Sequence, residues 1–138
     1  MEEGLRPVCT FLIPVVRDSD RRPHLPLVWR LLQDALLRTF GALTGPEPVL
    51  YYRNPEAVPG AWRPEEGKEP IEDLSRKYTV AVPAHRVDEL RALLRRAGNS
   101  FEQRVMYLEV GGYAEFLEVR PEDGFLEPLR ERAPWRRP

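Results

Sequence analysis

Val8-Cys9-Thr10-Phe11-Leu12-Ile13-Pro14-Val15-Val16 is followed by a polar turn, Arg17 to Arg22, and then by Pro26 to Phe40, where the hydrophobic period changes. The first stretch is short, β-branched and aromatic, the composition of a strand, and Pro14 suits a sheet edge or a strand end. In the second, Arg30, Asp34 and Arg38 make a polar stripe four residues apart. Val28, Leu31, Leu32, Ala35 and Leu36 supply the opposing apolar face of a helix. Gly41, just past the last periodic residue, is a helix stop because it adopts the left-handed conformation without a Cβ penalty. A strand feeding a helix opens a β-α-β unit, and the rest of the chain decides whether a second one follows.

It does. Val49 to Arg53 reads as a second strand. Residues 54–72 then hold Pro55, Pro59, Gly60, Pro64, Gly67 and Pro70, a density of breakers that excludes a helix. This is a long Pro/Gly-rich excursion, with a small hairpin expected to set Ala61-Trp62 opposite Lys68 to Ile71. A loop of this length in a small domain is expected to open before the sheet does. Lys77 to Val82 alternates, with Tyr78, Val80 and Val82 on one face, and Pro83 ends it. Val87, Leu90, Leu94 and Ala97 recur at helical spacing, with Gly98-Asn99 as the expected cap. Val105 to Val110 and Tyr113 to Val119 flank Gly111-Gly112, a hairpin signal because both central residues of a primed turn need positive φ. The order predicts an α+β ferredoxin-like sandwich: β-α-β-β-α-β with an added C-terminal hairpin strand, and two helices on one face of an antiparallel sheet. Residues 1–125 form the expected single domain. Residues 126–138 form a basic tail with Arg130, Arg132, Arg136 and Arg137.

Composition narrows the function classes. The 138 residues are 42% hydrophobic and 31% charged, enough apolar matter for one core without disulfides or metal. A net charge of -1 gives no global positive field for nucleic acid or anionic membrane. One cysteine, Cys9, excludes a disulfide framework and a multi-cysteine metal centre, and two histidines exclude a His-rich one. The start Met1-Glu2-Glu3 lacks the basic region of a secretory signal, and no apolar run approaches the ~20 residues that span a bilayer, so the expectation is a cytoplasmic protein. Arginine dominates the basic residues, lysine stands only at 68 and 77, proline reaches 15, and Asn and Gln are scarce, a pattern that matches a thermophile.

Four short motifs come in fixed order: Phe40-Gly41-x-x-Thr44, Gly60-x-Trp62, Asp73-x-Ser75-x-x-Tyr78-x-Val80 and Phe101-x-Gln103-x-x-Met106-Tyr107. Together they resemble, over about residues 8–119, a family of short bacterial proteins of uncharacterised function. Thr44 to Gly60 is lengthened here by Gly45 to Pro59. The resemblance implies the ferredoxin-like α+β fold and transfers no catalytic residue.

No nucleophile-and-base constellation, phosphate loop or dinucleotide fingerprint occurs. Glu65, Glu66, Glu69, Glu72 and Asp73 have the oxygen chemistry for a hard cation but not the spacing of a calcium loop. We expect no metal and no cofactor. The candidate ligand-binding residues are Trp62, Asp73, Ser75, Tyr78 and Gln103, with Phe101 beside them, in a small pocket where the excursion folds back on the sheet. Gln103 is expected to bond to Asp73 and Ser75 and so pin the excursion. The first strand is apolar on both sides, and an uncovered sheet face calls for a partner. The leading expectation is a non-enzymatic binding or protein-interaction module that self-associates through its sheet, with a small apolar ligand as a second partner. One rival is a small dimeric α+β enzyme acting on a hydrophobic metabolite, with His85, Tyr78 or Asp73 moving a proton. Another, weaker, is an RNA-binding domain that stacks bases on Tyr51, Tyr52, Tyr107 and Tyr113, against the charge of Glu109, Glu115 and Glu118.

Overall fold

The computed structural model describes residues 6–53 and 71–128. Within them the chain runs β1 (Val8–Pro14), α1 (Pro26–Phe40), β2 (Thr44–Arg53), β3 (Ile71–Ala81), α2 (Val87–Ser100), β4 (Val105–Val110) and β5 (Tyr113–Glu118). The sheet order is β2-β3-β1-β4-β5, with every neighbouring pair antiparallel. With the helices following β1 and β3 on one face, this is the ferredoxin-like α+β arrangement, and β5 is the added hairpin strand. The predicted Ala61-Trp62 hairpin lies outside the described residues, as do positions 129–138 of the basic tail.

The first helix occupies the predicted span. Pro26 starts it, where its missing N–H costs nothing. Gly41 ends it at φ 86°, its N–H bonded to the Leu37 carbonyl at 2.9 Å. Gly111 and Gly112 both take positive φ at the tip of the β4–β5 hairpin.

Three boundaries differ from expectation. β2 begins at Thr44, not Val49, and passes through Pro46 and Pro48. Prolines are tolerated because β2 is the edge of the sheet, and the register slips between Thr44 and Glu47. β3 begins at Ile71, so Ile71 to Arg76, expected partly as excursion and turn, are strand paired with Pro48 to Arg53. Gly98-Asn99 is not a helix cap: α2 runs through to Ser100. Gly98 is buried, and a Cβ there would meet Val119 Cγ2 at 2.4 Å, so the glycine answers a close approach and not a chain reversal. The body also extends past the expected boundary at 125. Leu126 is buried, and its N–H bonds Ser100 Oγ at 2.9 Å.

The core lies between the helices and one sheet face. Cys9, Phe11 and Ile13 of β1, Tyr78 and Val80 of β3, Met106 and Leu108 of β4 and Leu117 of β5 are buried there, beneath Leu32 and Leu36 of α1 and Leu90 and Leu94 of α2. Each such aliphatic or phenyl side chain contributes about 1.5–3 kcal/mol on leaving water, which makes this layer the chief source of stability. Pro14 closes β1, the central strand, at its end.

Candidate functional site

The register assigns every strand residue to a face. Antiparallel partners point the same way and successive residues point oppositely. Phe11 pairs with Tyr78 under the helices, their rings stacked at 5.4 Å. Thr10 and Thr79 therefore face the other side, where their hydroxyls lie 3.4 Å apart. Counting from Thr79, Lys77, Ser75 and Asp73 share that face, open in the sense that neither helix covers it. So do Leu12 and Pro14 of β1, Tyr107 of β4, Phe116 of β5, and Glu47, Val49 and Tyr51 of β2.

Two polar residues on this face are as buried as the core: Asp73 and Ser75 are each 1% exposed. Tyr51, the register partner of Asp73, and Tyr107, the partner of Leu12, bring their rings to 5.9 Å across the intervening strands. Ser75 sits in the row between them. Phe116 extends the aromatic series, edge-on to Tyr107 at 5.7 Å. The Tyr107 hydroxyl donates to the Glu109 carboxylate, and burial together with that bond pushes its pKa up to about 12. Among the described residues the Ser75 hydroxyl bonds the Asp73 carbonyl, at 3.5 Å.

Asp73 accepts a hydrogen bond from Arg21 Nη2 at 2.8 Å. Arg21 reaches it from the turn that follows β1, and its backbone takes the left-handed conformation, φ 60°. That turn is clamped from both ends. The Arg17 N–H bonds the Arg22 carbonyl at 2.9 Å, and the Arg17 guanidinium bonds Asp20 and, at 3.0 Å, Glu102. Asp20 in turn accepts from the Arg22 N–H at 3.0 Å, and the Arg17 guanidinium holds its carboxyl below the usual carboxylate range.

The five residues expected to share one pocket do not come together. Trp62 lies outside the described residues. Asp73 and Ser75 are on the open face. Tyr78 is on the opposite face, in the core, where its hydroxyl accepts from Gln33 Nε2 at 3.2 Å. Phe101 is likewise core. Gln103 is buried, as expected of a partnered amide, but it does not bond to Asp73 or Ser75. Its Nε2 donates to the Val16 carbonyl at 3.1 Å and to the Phe101 carbonyl at 3.0 Å, tying the α2–β4 corner to the end of β1. Position 103 precedes β4, so the geometry of the corner, not strand alternation, directs the side chain.

The histidines part company. His24 is buried, edge-on to Trp29 and Phe101, and its Nε2 donates to the Pro14 carbonyl at 2.9 Å. Burial lowers its pKa. His85 lies exposed on a 3-10 turn, Ala84–Arg86. Cys9 is buried and its thiol pKa is raised by that burial, as filler requires. Of the acidic run, Glu72 and Asp73 are successive strand residues on opposite faces, so they do not converge on one cation. Among the described residues no three His, Cys, Asp or Glu side chains gather at metal-binding distance. Among them, too, no helix is long and apolar enough to cross a membrane.

Arg21, Leu12 and Phe116 were not among the expected site residues. Tyr51 and Tyr107 entered only as base-stacking candidates, with Tyr52 and Tyr113. Tyr52 faces the other side of the sheet and Tyr113 stands at the hairpin tip. Parity with Asp73 through the β2 register identifies Tyr51; nothing in the sequence singles out Arg21.

No family model matches the chain and no curated protein does. A solved structure, a phage SAM lyase in complex with S-methyl-5'-thioadenosine, is similar over 86% of this chain and 95% of that one, at 10% sequence identity and a TM-score of 0.48.

Proposed function

We propose that this protein is a cytoplasmic, non-enzymatic binding module that self-associates through the open face of its sheet. The observation that carries the reading is the aromatic series Tyr51–Tyr107–Phe116 over Leu12, on the face that neither helix covers. Contiguous apolar and aromatic area on a sheet face is what a second copy buries in a two-fold pairing, where each side presents the same patch to the other. Both ends of the sheet argue for face pairing over edge pairing. β2 carries Pro46 and Pro48, which remove ladder donors, and β5 is short. Light scattering over a concentration series tests the reading. A multiple of the 16.0 kDa chain mass is expected at micromolar concentration, and a strict 16.0 kDa species up to high micromolar would contradict it.

A further inference from the structure

Two opposite charges lie within the open face and do not meet in a single copy. Lys77 is half-buried on β3, an inner strand, and among the described residues it makes no hydrogen bond and no ion pair. Glu47, its cross-strand neighbour on the edge strand β2, is exposed and does not pair with it. Glu109, half-buried on β4, accepts from the Tyr107 hydroxyl through Oε1. An ionised carboxylate has room for several more donors. The register fixes where the two charges stand. Lys77 and Tyr107 flank Leu12, whereas Thr79 and Glu109 flank Thr10. Lys77 and Glu109 are thus on opposite sides of β1 and one row apart. A second copy that covers this face takes water from both charges, and a desolvated charge is costly unless a counter-charge meets it. Two-fold pairing supplies one, because it sets residue i of one copy against residue j of the other, and j against i. An axis between the facing sheets that passes over β1 between Thr10 and Leu12, across the Lys77–Glu109 diagonal, exchanges the two positions. We infer that Lys77 and Glu109 form two reciprocal ion pairs between copies of this chain, and that these pairs fix the orientation in which the copies associate.

Resting on the self-association proposed above, these pairs add a direction to it. Leu12, Tyr107 and Phe116 supply apolar area that tolerates rotation of one copy on the other. Two opposite charges set on a diagonal reject the orientations that place lysine over lysine or carboxylate over carboxylate. The bond from Tyr107 holds the Glu109 carboxylate on the face in readiness. Glu47 and Glu118, the other exposed carboxylates with this parity, lie on the two edge strands, where an ion pair in water contributes little. Charge reversals therefore have a predictable sign. Lys77→Glu leaves two carboxylates at each contact, Glu109→Lys leaves two ammoniums, and a mixed pair of the two variants regains both attractions.

The test is sedimentation of the full chain as wild type, Lys77→Glu, Glu109→Lys, the double reversal, and an equal mixture of the two single variants. Each single variant is expected to self-associate about tenfold or more weakly than wild type, and the double reversal to return to within about threefold of it. The mixture is expected to associate about tenfold more tightly than either variant alone, as a mixed pair that isotope labelling of one variant and native mass spectrometry identify. Arg30→Glu, on the exposed polar stripe of α1 and away from this face, makes the same change in net charge. Mixed with Glu109→Lys, it is expected to give no preference. Neutral variants keep the test open where a reversal unfolds the chain: Lys77→Gln/Glu109→Gln is expected to associate no more weakly than either single neutral variant. A wild type that associates, with single reversals that associate equally well, overturns these pairs and leaves self-association standing. Single reversals that weaken association while the double and the mixture stay weak overturn the reciprocal contact, and a preference as large with Arg30→Glu traces the effect to net charge and overturns it too. A wild type that stays at 16.0 kDa contradicts the self-association itself, and the pairs with it.

Discussion

The two faces of one sheet are buried by different means. Under the helices, Phe11, Tyr78, Val80, Met106 and Leu108 are apolar or nearly so, and each is enclosed by side chains from α1 or α2. On the open face, Asp73 and Ser75 are just as buried, yet they are polar, and the rings of Tyr51 and Tyr107 meet across them. Burial of the first kind stabilises the fold directly. Burial of the second kind carries the cost of a desolvated carboxylate, which the Arg21 contact offsets in part, so it contributes less to stability than apolar packing does. The two faces therefore differ in what holds them: apolar packing on one, and on the other a buried carboxylate met by an arginine that is half in water.

The comparison breaks first on paired phenylalanines. Phe11→Ala, on the covered face, is expected to lower unfolding free energy by about 3–5 kcal/mol, whereas Phe116→Ala, at the rim of the open face, costs less than about 1 kcal/mol. Denaturant titration measures both, and equal losses would erase the distinction. Gly98→Ala sharpens the account of the covered side. Helix propensity alone favours alanine by about 1 kcal/mol, but the new Cβ meets Val119, so a net loss of about 1–3 kcal/mol is expected, recovered in Gly98→Ala/Val119→Ala. Gain of stability in the single variant would show that the helix and Val119 separate freely.

The corner joining the two faces gives the next effect. Gln103→Leu leaves the Phe101 and Val16 carbonyls without their amide donor and is expected to cost about 1–3 kcal/mol. An unchanged midpoint would remove the corner from the account. The smallest effect is a pH slope. The folded pKa of His24 lies below its ordinary value of 6.5 because burial disfavours the imidazolium. The unfolded chain thus binds the proton more readily. The His24 contribution is fully present above pH 6.5 and is lost as pH falls from there toward the folded pKa. In His24→Gln, whose amide still reaches toward the Pro14 carbonyl, stability between pH 7 and 5 should fall less than in wild type. Parallel curves would contradict the assignment.

Much of the fold was legible because its signals are local. Helix periodicity with Pro26 and Gly41 bounds α1, and the Gly111-Gly112 pair states its own turn. From sequence alone β2 and β3 look shorter than they are, because Pro46, Pro48 and the polar stretch from Glu72 to Arg76 resemble loop. Only the sheet order, which makes β2 an edge, explains why they are strand. The site was half legible. Alternation alone separates Asp73 and Ser75 from Tyr78, since their spacings are odd, so the grouping of all three in one pocket conflicted with the strand period. Gln103 was readable as a buried, partnered amide but not as to its partners, which come from carbonyls that a corner brings together. Arg21 carried no signal, because its role depends on a left-handed turn residue meeting a strand 52 positions away.

The most direct test of the open face as the working surface is sedimentation equilibrium on wild type and Tyr107→Asp, side by side, with circular dichroism confirming that both are folded. A charge placed at the centre of the aromatic series opposes burial of that face while leaving the helix-covered core untouched. The account predicts a wild-type mass that is a multiple of 16.0 kDa and a folded 16.0 kDa monomer for Tyr107→Asp. Two monomers, or two oligomers of equal strength, would contradict it.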